Sequence, residues 1–218
     1  MQLSQHDKRE CSLYEVMMND NDLIRSLRFR SMGLRYLHFV RLIAEQVVNM
    51  RNKSVATWWG ERTPQEEAEE FDRQTKWSDA TVVEPLLFNF YHGLELLLKG
   101  FVLLESGPDP NHRLTHLLKY FVAAYPSETE LITLFQKYLS QSAMPEILID
   151  FLEKNESSVD RFFESLRYPF NRNLNQNYKH IMLKYKGGEG LPFYEELVAD
   201  IGTMGKCAVA LGRKLERR

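Results

Sequence analysis

A chain of 218 residues, 44% hydrophobic and 27% charged, can bury a sizeable core. No window approaches 18 uncharged apolar residues, which argues against a membrane span. The net charge of −2 excludes the uniformly basic body of a generic nucleic-acid binder. Cys11 and Cys207 stand far apart, which fits two free thiols in a reducing cytosol better than a disulfide framework or a metal site. MQLSQHDKRECSLYE has no apolar stretch behind its charges, so the expectation is a cytoplasmic protein without a secretory signal.

Charge is unevenly placed. Between residues 25 and 53, Arg25, Arg28, Arg30, Arg35, Arg41, Arg51 and Lys53 face a single acid, Glu45, whereas 61–72 is mostly acidic. A basic helix can contact phosphates, although solvated arginine faces are commoner.

From Ser31 to Lys53 apolar residues recur every three or four positions, which predicts a helix with a broad apolar stripe. Trp58-Trp59-Gly60 forms a connector. Thr63-Pro64-Gln65-Glu66 then reads as a capped start for an acidic surface helix ending near Thr75. Ser78 or Asp79 can cap the next helix, about Thr81–Ser106, with Pro85 in its first turns. Its interior is apolar nearly all round, the pattern of a central buried helix.

Gly107-Pro108-Asp109-Pro110-Asn111 breaks the chain before a helix at about Leu114–Ala124. Ser127-Glu128-Thr129-Glu130 reads as another capping box, for a helix to about Ser140. Further helices follow at about Pro145–Lys154, Ser157–Leu166 and Pro192–Leu215. Asn171–Asn177 reads as a loop, Lys186–Gly190 as the most flexible point, and His180–Tyr185 (HIMLKY) as the one strand candidate. The expected fold is an all-α, single-domain antiparallel helical bundle over 1–218, with a core at roughly 30–55 and 80–215 and a peripheral acidic helix within 56–78.

Walker A, G-x-G-x-x-G, H-E-x-x-H and G-x-S-x-G motifs are absent, which leaves nucleotide hydrolysis, hydride transfer and zinc-protease chemistry without support. Three constellations remain. His92, Glu95 and Lys99 share one helix face, either as a functional polar ridge or as an ion pair in an apolar helix. His112 and His116 have the i, i+4 spacing of two metal ligands, but no third is placed by sequence, so the expectation is no metal and no cofactor. Leu166-Arg167-Tyr168-Pro169 is followed by Arg172, Asn173, Asn175, Asn177, Tyr178 and His180. An Arg and a His close together suit RNA cleavage, the imidazole moving a proton and the guanidinium holding phosphate oxygens. Asn and Tyr can add hydrogen bonds to phosphate or bases, although an Asn-rich, Pro-broken connector is also what an ordinary loop looks like.

HGLELLLKGFVLL at 92–104, HRLTHLL at 112–118 and Leu-Arg-Tyr-Pro at 166–169 resemble elements of the HEPN family over roughly residues 80–215. The resemblance implies a helical bundle that dimerises around a polar cleft, in a prokaryotic defence or toxin–antitoxin setting. In active members an R-x(4–6)-H motif in that cleft cuts RNA without metal. Here seven residues separate Arg172 from His180, and Arg167 is further still. The leading expectation is a dimeric binding module for RNA, a nucleotide or a partner protein, with His92, Glu95, Lys99, Tyr168, Asn173 and Asn177 as ligand contacts. The alternatives are a metal-independent endoribonuclease using His180 with Arg167 or Arg172, and a structural protein docking through a helix such as 192–215.

Overall fold

A helix that is apolar on every side has to be surrounded, and the fold is built on that requirement. The computed structural model describes residues 5–107, 112–171 and 173–217. Among them, α1 (Gln5–Asn49), α2 (Pro64–Thr75), α3 (Asp79–Ser106), α4 (Leu114–Ala124), α5 (Thr129–Leu139), α6 (Glu146–Lys154), α7 (Phe162–Arg167) and α8 (Leu191–Leu215) follow in order. Three short 3₁₀ turns sit at Val159–Arg161, His180–Leu183 and Gly187–Gly190. No strand forms among the described residues beyond one isolated bridge, Phe170 to Asn177, so the chain is all-α.

α3 is the surrounded helix. Phe90, Tyr91, Leu94, Leu97, Leu98 and Phe101 are fully buried, within one continuous core shared with residues of α1, α4, α5, α6, α7 and α8. α3 is long and apolar enough to cross a membrane, but 78% of its apolar window is buried inside the fold.

α1 runs antiparallel to α3: Ser26 meets Gly100, Leu37 meets Gly93, and Asn52 just past the end of α1 meets Asp79. The two backbones approach closely because glycines leave room. A Cβ on Gly33 would lie 2.8 Å from the Leu97 nitrogen, and one on Gly100 would lie 2.9 Å from the Arg30 nitrogen. The approach lets Ser26 Oγ donate to the Gly100 carbonyl at 2.5 Å, giving the buried hydroxyl a partner.

At the other end of this pair lies a buried polar knot. Asp79 is fully buried, and its carboxylate accepts from Asn52 Nδ2 (2.8 Å) and from the backbone nitrogens of Tyr185 and Lys186 (both 2.8 Å). The Asp79 nitrogen donates to Asn52 Oδ1 at 2.7 Å, and Asn52 Nδ2 also reaches the Gly187 carbonyl at 2.8 Å. Asn52 adopts φ 47°, a left-handed conformation that asparagine tolerates better than most residues. One carboxylate thus ties the end of α1, the start of α3 and the approach to α8.

The expected helices form, with shifted ends. α1 ends at Asn49 rather than Lys53 and begins far upstream of Ser31. The Thr63/Glu66 capping box is present, with Glu66 held below the usual carboxylate range chiefly by its hydrogen bond from the Thr63 backbone. The Ser127 box does not form; Glu128 precedes α5 without a side-chain cap. α3 starts at Asp79, and Ser78 makes no capping bond. His180–Leu183 is a 3₁₀ turn, not a strand, and Gly187–Gly190 is a second such turn anchored through Gly187 to Asn52. The apolar side of α8, the helix suggested for docking, is occupied within the chain: Tyr194, Leu197, Ile201, Met204 and Leu211 are buried.

Cys207 on α8 stands beside Glu130, with Sγ 3.3 Å from Oε2. Burial, then the hydrogen bond and charge of Glu130, push the thiol up to about 11. Thiolate is the reactive form, so in a Cys11→Ser background Cys207 should alkylate at pH 8 more than tenfold slower than a free cysteine of pKa about 8.5. The rate should keep rising to about pH 11. A rate that levels off near pH 9 in a stopped-flow alkylation series would contradict this.

Candidate binding groove

The row on α3 supplies the polar floor of a groove. Glu95 is buried on a helix rich in leucine, and a buried acid is normally kept only where it is paired. Its Oε1 accepts from Lys99 Nζ at 2.9 Å and lies 2.7 Å from His112 Nδ1. His92 Nδ1 stands 3.8 Å from Glu95 Oε2, with its ring edge-on to Tyr36 at 4.7 Å. The ion-pair reading of this row therefore holds, and the row also faces open space.

That space is an open groove of about 1520 Å³. α3 gives it Phe88, His92, Glu95, Leu96 and Lys99; α1 gives Phe29; the chain before α4 gives His112. The opposite wall runs from Asp160 through α7 into the 168–174 loop, with Arg161, Glu164, Arg167, Tyr168, Phe170, Asn173 and Leu174. The Arg167 guanidinium lies 5.3 Å from the Tyr168 ring centre and 6.0 Å from that of Phe88, a cation held between aromatic faces. Arg161 and Arg167 are exposed, and neither is ion-paired among the described residues. Among the carboxylates lining the groove, Glu95 is engaged as above and Asp160 by the Thr115 nitrogen and hydroxyl at 3.0 and 2.6 Å.

The expected site residues separate into two groups. His92, Glu95, Lys99, Arg167, Tyr168 and Asn173 all line the groove. Asn177 does not; it makes the bridge to Phe170 that closes the loop. Arg172 lies outside the described residues. His180 is turned away: its Nε2 sits 2.5 Å from the Ser165 carbonyl and its ring stacks on Phe151 at 5.9 Å. A carbonyl can only accept, so Nε2 carries the proton and is committed to that bond. His116 packs edge-on against Tyr120 at 4.7 Å, and no group of three or more metal-ligating side chains occurs among the described residues.

His112 and Arg161 are groove residues whose part sequence reasoning missed. His112 reaches Glu95 across a 17-residue separation, which no local spacing reveals. Arg161 carried a weak signal, since Arg161, Glu164 and Tyr168 share one face at i, i+3 and i+7. Comparisons with protein-family models, curated proteins and solved structures return no match for this chain.

Proposed function

We propose that this protein is a cytoplasmic, dimeric, HEPN-like binding module whose groove holds RNA or a nucleotide without cutting it, in a prokaryotic defence or toxin–antitoxin setting. The observation that carries the reading is the split among the expected residues: six converge on one groove while the imidazole required for cleavage is spent on the Ser165 carbonyl. Arg161 and Arg167 suit phosphate oxygens. Tyr168 and Phe170 are half exposed at the lip and suit stacking with bases. Asn173 adds donors and acceptors for a base edge.

The test is fluorescence anisotropy with a labelled single-stranded RNA and with free nucleotides, over a salt series. Arg161→Ala and Arg167→Ala should each weaken RNA binding by about tenfold and flatten its salt dependence. Wild-type protein that binds neither ligand, or binding that ignores both substitutions, removes the proposal. RNA shortening in the presence of EDTA that disappears in His180→Ala restores the nuclease reading.

A further inference from the structure

The side chain of His112 lines the groove and is 79% exposed. An imidazole so open normally swings freely, but this one is held by one edge. Its Nδ1 lies 2.7 Å from Glu95 Oε1, the oxygen that also takes Lys99 Nζ at 2.9 Å. Glu95 is itself buried, so the ring is anchored to the floor of the groove rather than to a mobile surface group.

The anchor also sets which nitrogen is offered to a ligand. A carboxylate only accepts, so the hydrogen between Glu95 and the ring is on Nδ1. Lys99 Nζ, 3.2 Å from that same nitrogen, therefore donates to Glu95 and not to the ring. The neutral ring keeps its lone pair on Nε2, which has no partner among the described residues. A phosphate oxygen has no hydrogen to give that lone pair. A hydroxyl has one, and its oxygen can equally accept from a charged ring, so it suits Nε2 in either state.

The chain sets this atom near a phosphate-holding side chain. Thr115 follows closely on His112 and is bonded to Asp160, whose neighbour in the chain is Arg161. Three residues span at most about 11 Å, so His112 and Arg161 share one end of the groove. In RNA the 2′-hydroxyl adjoins the 3′-phosphate on the same ribose, and it is the group that separates RNA from DNA. We propose that His112 Nε2 takes the ribose 2′-hydroxyl of a ligand whose adjoining phosphate is held by Arg161. This role rests on the groove holding RNA or a nucleotide, and it makes the groove select ribose over deoxyribose.

Fluorescence anisotropy at fixed salt tests this with labelled RNA, DNA and 2′-O-methyl RNA of one sequence built from A, C and G. Isothermal titration of adenosine 3′-monophosphate against its 2′-deoxy form makes the same comparison for a free nucleotide. Wild type should favour the ribose ligand by about fivefold, the size of one net hydrogen bond. His112→Ala, confirmed as folded by circular dichroism, should lose that preference, with RNA falling to the affinity of DNA. A variant that keeps the ratio overturns the role, even if both ligands bind more weakly, because the ring then only shapes the groove. The 2′-O-methyl strand keeps the sugar shape of RNA but has no hydrogen to donate, so wild type that binds it as tightly as RNA also overturns the role. Wild type that binds ribose and deoxyribose ligands alike overturns the role and leaves the binding reading standing. Wild type that binds none of these ligands overturns both.

Discussion

Asp79→Ala should lower the free energy of unfolding by about 3 kcal/mol, because it strips the acceptor from three donors at once. The backbone nitrogens of Tyr185 and Lys186 each donate to this carboxylate at 2.8 Å, and the Asn52 amide does the same. Asn52 keeps the Gly187 carbonyl as a second acceptor, whereas the two peptide nitrogens lose the carboxylate they share. Asp79→Asn should cost less, since one oxygen survives, while its new NH₂ faces a donor where an acceptor stood. Urea unfolding checks the order: the midpoint should fall for Ala more than for Asn, with an unchanged slope. Equal midpoints for wild type and Ala would mean that water replaces the carboxylate freely.

The same knot shows where sequence reasoning ran out. Ser78 and Asp79 are both sound helix caps by residue type, and α3 does start there. Local preference could not reveal that Asp79 would be drawn instead toward backbone 106 residues later in the chain. Elements specified by their own periodicity, such as α3 and α8, were legible, as was the reciprocal Thr63/Glu66 cap, because every partner lies within one turn. α1 was read too short because its upstream portion mixes acids, amides and sulfur residues without a clean stripe. In the groove, the α3 row was visible through its spacing, whereas the approach of His112 and the withdrawal of His180 are tertiary events. His180 stands close to Arg172 in the chain, and proximity in sequence suggested a site. The 3₁₀ turn at His180–Leu183 directs the ring onto Phe151 and Ser165 instead.

Glu95→Gln should separate the structural role of the groove floor from its electrostatic one, moving stability and binding in opposite directions. Glu95 is 5% exposed and its partner Lys99 has a side chain 12% exposed, so the pair is largely removed from water. Neutralising the acid leaves the ammonium with an amide oxygen and the His112 ring nitrogen 3.2 Å away but no opposing charge, and stability should fall by about 2 kcal/mol. The groove meanwhile gains one unit of positive charge, facing the same space as Arg161 and Arg167. An anionic ligand should then bind several-fold more tightly, most visibly at low salt. Thermal denaturation and RNA anisotropy on the one variant read both effects. Lower stability with unchanged affinity would confine Glu95 to holding Lys99 and His112 in place. Weaker binding would make the Glu95 carboxylate itself an acceptor for the ligand, and the groove would then be selecting hydrogen-bond donors rather than negative charge.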